Sequence, residues 1–297
     1  MLIKKYKNKN ENIKKKKNVY TYKKLFLIIS IVIIISIVLY ILLFSISGLN
    51  VVKAQLIIEE GIIEIKHEDN SWFIPENGTL LCEYDKIRTH ENSSAIIILF
   101  ESSIIRLDSN TEVMIKEVIE DIESTNVKIL QSTGRTWNTI SKISGIDNYD
   151  VQTPTTVASV RGTTFVVKVE SNGSTEVGVN HGLVNVSSLK NGIIKNTISV
   201  EENESVTIFF DKTDQPLDKK PFLKDDWVQS NIDKDNKDFL EIKKDLYNRL
   251  EPYIPELKEK YNVTDEELDI LIEGYIRGDF ELPDNTPDWI LDIIELS

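Results

Sequence analysis

The chain has 297 residues and a formal net charge of −13, with 41% hydrophobic, 8% aromatic and 28% charged residues. That composition fits a folded globular body and excludes a disordered, collagen-like or polytopic membrane chain. Cys82 is the only cysteine, which excludes an intramolecular disulfide and a thiolate metal cluster.

Residues 1–24 carry ten lysines against one acid, Glu11, so +9 sits there and −22 on the remainder. So acidic a body repels phosphate backbones, which argues against a nucleic-acid partner. From Leu25 to Ile46, 22 residues carry no charge and 18 of them are Leu, Ile, Val or Phe. A helix of that length rises roughly 33 Å at about 1.5 Å per residue, matching the hydrocarbon layer of a bilayer. Residues 25–46 are therefore read as a transmembrane helix with lipid as its partner. The lysines ahead of it predict a cytoplasmic basic tail, 1–24, and an exported body. The alternative is a signal peptide cleaved after Val52-Lys53-Ala54, although the apolar run exceeds the roughly 7–15 residues usual for one.

Beyond residue 51 the texture changes to short Ile/Val/Thr-rich runs broken by Gly, Asn, Asp and Ser, the pattern of strands and tight turns. Strands are predicted at 61–67, 94–100, 103–107, 111–115, 127–131 and 135–140. Further along, 163–170 alternates through Phe165, Val167 and Val169, Asn172-Gly173 turns the chain into 175–179, and His181-Gly182 turns it into 183–187. Asn191-Gly192 opens one more strand pair. No helical stretch long enough for a crossover intervenes, so an antiparallel sandwich, roll or solenoid-like stack is expected over 51–210.

Val151-Gln-Thr-Pro-Thr-Thr-Val-Ala-Ser-Val-Arg-Gly-Thr-Thr-Phe-Val-Val167 closely resembles the signature of FecR-type domains. Gly61 to Ile65, Lys86-Ile-Arg-Thr89, Ile105-Arg-Leu-Asp108, Gly134-Arg-Thr-Trp137 and Val179 to Val186 follow the family's order, so the likeness covers about residues 55–210. Departures fall at turns: Glu83-Tyr84-Asp85 replaces a Gly-Asp turn, His90 a glycine, and Glu101-Ser102 an Asp/Gly turn. Thr153, Pro154, Val160, Arg161, Gly162, Thr163, Phe165 and Trp137 are the motif residues, in structural roles or in contact with a partner. Pro154 fixes its own φ and holds Thr153 extended, which ends a strand. Gly162 permits a bend, Arg161 needs a carboxylate or a partner, and Trp137 suits a core anchor or a ligand platform.

Past Phe210 the period lengthens to about 3.6. Helices are predicted at 223–232 and 239–250, with a break at Pro252 and Pro255. A capping box, Thr264-Asp-Glu-Glu267, opens another helix that ends near Gly278, and Thr286-Pro287 opens a short last one. Residues 211–297 thus form an acidic helical region. In sensor members of the family a cytoplasmic domain controls a sigma factor; a 24-residue tail is far short of one, so the resemblance implies a binding or scaffolding domain outside the cytoplasm.

His67, His90 and His181 lack the spacings of metal sites, and no nucleophile-elbow, phosphate-loop or dinucleotide fingerprint occurs. No catalytic residue, cofactor or metal site is expected. Carboxylate pairs such as Glu59-Glu60 and Asp225-Asp226 read as solvated surface, and the acidic turn 147–150 lacks calcium-loop spacing. Asn77, Asn92, Asn172, Asn185, Asn203 and Asn262 begin sequons whose glycosylation depends on the host. The leading expectation is a membrane-anchored, non-catalytic domain that binds a protein or cell-envelope polymer and senses a signal. The alternatives are a self-associating structural envelope protein and, more remotely, a surface polysaccharide hydrolase.

Overall fold

The computed structural model describes residues 51–277, apart from 69, 101, 121–123 and 142–143, together with 286. The expected anchor at 25–46, the basic tail and the short helix after Thr286 lie outside the described residues. Among the described residues no helix is long and apolar enough to cross a membrane.

The chain is mainly β. In order the strands are β1 (Val51–Glu60), β2 (Ile63–Lys66), β3 (Thr79–Cys82), β4 (Lys86–Thr89), β5 (Ser94–Leu99), β6 (Ser103–Leu107), β7 (Glu112–Glu120) and β8 (Thr125–Thr139). They continue as β9 (Asn148–Gln152), β10 (Thr156–Val160), β11 (Thr164–Val169), β12 (Thr175–His181), β13 (Leu183–Lys190), β14 (Ile193–Glu201), β15 (Glu204–Ile208) and β16 (Lys219–Pro221). Pairing arranges them in two layers. The first runs β3-β1-β5-β6-β8-β11-β12-β15-β16. The second runs β2-β4-β7-β8-β9-β10-β13-β14. Alternation sends Ile97, Ile105, Phe165 and Val177 of the first layer and Ile87, Ile129, Tyr149 and Val186 of the second into one shared core.

β8 belongs to both layers. Its first half pairs with β7 and β9, its second half with β6 and β11. The sequence pattern breaks at Ser132-Thr133-Gly134 and predicts two strands there; the structure makes one, because Gly134 takes a φ of +86° and bends the strand from one layer into the other without reversing it. A Cβ at Gly134 would stand 2.4 Å from the Thr111 Cα, so no side chain fits. Gln131, buried at the bend, donates to the Gly134 and Val167 carbonyls and accepts from the Thr136 hydroxyl.

A second difference is β8–β9, which is parallel where antiparallel pairing is expected throughout. Since β8 leaves the second layer at Gly134, the connection 140–147 can return the chain beside its start without a crossover helix.

The β region also runs past 210, since β16 adds to the β15 edge. Three helices follow: α1 (Asp226–Leu250), α2 (Ile254–Tyr261) and α3 (Asp265–Arg277). The two helices predicted at 223–232 and 239–250 are one, because neither Pro nor Gly interrupts 233–238. Pro252 sits in a 3-10 turn and Pro255 in the first turn of α2, so the predicted break is there. The capping box closes as its spacing demands: the Glu267 N–H donates to the Thr264 hydroxyl, and the Thr264 N–H donates to the Glu267 carboxylate. Leu246, Leu250, Leu257, Leu268, Ile272 and Ile276 form a small core among the three helices.

Candidate functional site

The signature segment builds one of two neighbouring crossings between the layers. β10 lies in the second layer and β11 in the first, and Arg161-Gly162 joins them, with Gly162 at φ +67°. His181-Gly182 makes the reverse passage, from β12 to β13, with Gly182 at φ +85°. The crossings lie against each other: the Thr163 hydroxyl donates to the Leu183 carbonyl at 3.1 Å, and a Cβ at Gly182 would meet the Gly162 carbonyl at 3.2 Å. Gly182 therefore lets the backbones approach, and Gly162 supplies the positive φ of its bend. Around them Asn148, Ser159, Val160, Arg161, His181, Leu183 and Asn185 line an open cleft of about 470 Å³.

The cleft is polar, and its charges are paired. The Arg161 side chain is 58% exposed and meets Asp147 at 3.4 Å, while His181 meets Glu202 at 3.3 Å and the Ser159 hydroxyl donates to Asp150 at 2.6 Å. Leu183 adds an apolar surface that is 44% exposed.

The other motif residues are placed elsewhere. Thr153 and Pro154 sit at the opposite end of β10, where the Thr153 and Thr155 hydroxyls bond to Thr175 in a buried cluster. Phe165 is in the core, edge-on to Tyr149 with ring centroids 6.2 Å apart. Burial pushes the Tyr149 hydroxyl well above its usual range, and it donates to Asn138.

Trp137 is fully buried on the outer face of the first layer, beneath α1, and its indole N–H donates to Asp235 at 2.7 Å. Asp235 also accepts from Thr139 and forms an ion pair with Arg106. Asp238 is the second carboxylate on Arg106. Burial raises its carboxyl above the usual range, with the charges of Asp235 and Glu241 adding to the rise and Arg106 opposing it. Asp225 caps α1 by accepting from the Val228 N–H and pairs with Arg135. Burial would raise Asp225, but that N–H, with Arg135 and Lys168, outweighs it and holds the carboxyl below its usual value.

Asp235 was not singled out by the sequence. The available signal was Arg106, an arginine inside the strand Ser-Ile-Ile-Arg-Leu, which must find an acid. Sequence reasoning likewise gives Leu183 and Asn148 no site role, and it reaches Asn185 only as a sequon and His181 only as a turn residue without metal-site spacing.

The remaining candidates have local partners. His67 contacts Asp85, and His90 contacts Glu64 beside Arg88. Glu59 binds Lys234, and Asp225 is the cap just described. Among the described residues no group of three or more His, Cys, Asp or Glu is placed to hold a metal ion. Asn77, Asn92, Asn172, Asn185, Asn203 and Asn262 are all exposed. Asn92, Asn203 and Asn262 have positive φ, Asn172 accepts from the Ser174 N–H in a turn, and Asn77 accepts from the Ile58 N–H. Asparagine suits these positions because it tolerates the left-handed region and its side chain accepts from backbone N–H groups. Tyr84, in the stretch that departs from the family's Gly-Asp turn, also has a positive φ of 68°.

Residues 85–185 match the family model described as FecR protein, so this segment is a FecR domain. Among solved structures, two crystal structures of a protein described as a candidate anti-sigma factor from Parabacteroides distasonis, at 2.50 and 1.65 Å, are similar. Identities are 17% and 18%, each with a TM-score of 0.37, and each match covers 46% of this chain and 59% of that chain. The chain thus spans less than two thirds of the length of those structures. A comparison with curated proteins finds no match.

Proposed function

We propose that the chain is a membrane-anchored, extracytoplasmic FecR-type binding module that recognises a protein or cell-envelope polymer and serves signal transduction without catalysing a reaction. The observation that carries this reading is the cleft at the paired crossings, where Arg161-Gly162 of the FecR signature meets His181-Gly182. The FecR match supports a regulatory role, and the uncharged run 25–46 behind a lysine-rich tail supports the anchor and its orientation. The side chains of the cleft are positioned for contact: Arg161 stands out on a bend fixed by glycine, with an exposed Leu183 beside it. The test is quantitative affinity capture, after in-cell crosslinking, of the full chain and its Arg161→Glu variant. A partner depleted by the charge reversal supports the reading; identical partner sets for both chains would refute it.

Self-association is a second reading, favoured by β14, the last strand of the second layer. It exposes Ile193 and Ile194 at 60% and 57%. An exposed apolar edge strand pairs readily with another copy. A purified chain that stays monomeric at high concentration would exclude it.

A further inference from the structure

The outer face of the first layer carries a feature that the Arg161 cleft does not use. Arg106, Trp137, Val166 and Gly178 stand on one cross-strand rung, each directly opposite the next on β6, β8, β11 and β12. Side-chain volume falls from Trp137 through Val166 to nothing at Gly178, which makes the face a tapered trough. Phe222 fills the deep end, where a Cβ on Gly178 would lie 2.3 Å from its ring. The first half of α1 lies over the shallow end: Trp227, Val228 and Ile232 pack with Trp137 and Val166.

Around Arg106 and Trp137 the polar contacts run in one direction, whereas at the rim Lys224 and Lys234 of the helix region donate to Asn180 and Glu59 of the sheet. The sheet supplies donors, namely Arg106, Arg135, the Trp137 indole N–H and the Thr139 hydroxyl, and the helix region supplies Asp225, Asp235 and Asp238 as acceptors. Arg135 also stacks 4.1 Å from the centre of the Trp227 ring. Arg106 is only 3% exposed, and its Nε–H finds no acceptor among the described residues. The trough therefore offers an acidic ligand more donor capacity than α1 uses.

The resident segment is a weak helix by its own sequence. Asp226–Asp238 reads DWVQSNIDKDNKD, in which only Gln229, Lys234 and Lys237 are strong helix formers. Residues 239–250, FLEIKKDLYNRL, are richer in them and pack on α2 and α3 instead. The trough, more than propensity, holds residues 226–238 helical, so docking and helix formation are coupled there.

We propose that this trough is a docking site for short acidic helices, that α1 is its resident and releasable occupant, and that the partner it fits is an acidic amphipathic helix of another protein that displaces residues 226–238. Charge complementarity selects that class: a basic or neutral helix would leave Arg106 buried without a counter-charge.

Hydrogen exchange of the full chain reads the release. Residues 226–238 should exchange at least about tenfold faster than β6 and β11, and Asp235→Asn should speed them about tenfold further while leaving those strands unchanged. A labelled synthetic peptide of residues 222–240 serves as the acidic-helix probe. It should bind the Asp235→Asn chain at least about fivefold more tightly than the unaltered chain, because a loosened occupant competes less. Adding Arg106→Gln should abolish that gain, and strand exchange reports whether the variant is folded. If it is not, Trp137→Phe, which removes the indole donor but keeps an aromatic ring, supplies the same comparison. Helix and strands exchanging at one common rate in every chain would overturn the releasable occupant. Equal peptide affinity for the unaltered chain and all variants would overturn the docking site.

Discussion

Arg106 on β6 and Asp235 on α1 lie 129 positions apart in sequence and form a buried ion pair that fixes the helix to the sheet. The Arg106 side chain is 4% exposed and that of Asp235 17%, so the arginine charge has almost no water to fall back on.

Removing one partner should therefore be costly. Arg106→Met is expected to lose about 3 kcal/mol, the lower end of the range for breaking a buried pair, and to lower Tm by roughly 6–12 °C. Thermal unfolding followed by circular dichroism checks this, and a loss below about 0.5 kcal/mol would mean that the pair is solvated.

Asp238 and Asp225 should respond to neutralisation with opposite signs. The folded value of Asp238 is raised by burial, so its ionised form detracts from stability at neutral pH, and that deficit vanishes as pH falls through the folded value toward the usual carboxylate range. Asp238→Asn, whose amide oxygen still accepts from Arg106, should raise Tm at pH 7 and lose its advantage in acid. The folded value of Asp225 is lowered, so it contributes stability above its unfolded value that is lost as pH falls through the folded one. Asp225→Asn should lower Tm at pH 7 and cost nothing at low pH. A Tm series from pH 3 to 7 on both variants decides, and shifts of the same sign would contradict the assignment.

Gly134 and Gly178 are needed for different reasons. Gly134→Ala meets backbone at 2.4 Å with φ at +86° and should cost more than the roughly 1–2 kcal/mol of the left-handed conformation alone. Gly178→Ala strikes only the Phe222 ring, so its penalty should fall to less than about 0.5 kcal/mol in a Phe222→Ala background. A double-mutant cycle by chemical denaturation measures that coupling; additive losses would place the clash elsewhere.

Arg161 should contribute little to stability. Its ion pair with Asp147 is exposed, and Arg161→Ala should change stability by no more than about 0.5 kcal/mol. Denaturant titration tests this, and a larger loss would make Arg161 a fold residue rather than a contact residue.

Much of the fold was legible because period-two patterning, Asn-Gly turns and the Thr264 capping box are local signals. Ser103–Leu107 appears as a strand with the predicted bounds, and the turn at Asn191-Gly192 has the two positive φ values its residues suggest. The bend in β8 was not legible, because Gly134 looks the same in sequence whether it ends a strand or carries it between layers; only the clash with Thr111 distinguishes them. The candidate site was half legible. Val160, Arg161 and Gly162 stand in the signature, whereas His181, Leu183, Asn148 and Asn185 join them through layer crossings that pairing decides. Trp137 stands in the motif, but its partner Asp235 lies 98 residues away, in the polar stretch 233–238 between the two predicted helical runs.

The most direct trial of the binding role is site-specific photocrosslinking in living cells. A photoreactive residue at Leu183, in the cleft, is compared with one at Ile194, which is also exposed but on β14. One discrete adduct from position 183, absent from position 194 and lost on Arg161→Glu, is the predicted result. The same adducts from both positions, or none from 183 while known surface contacts crosslink, would contradict it.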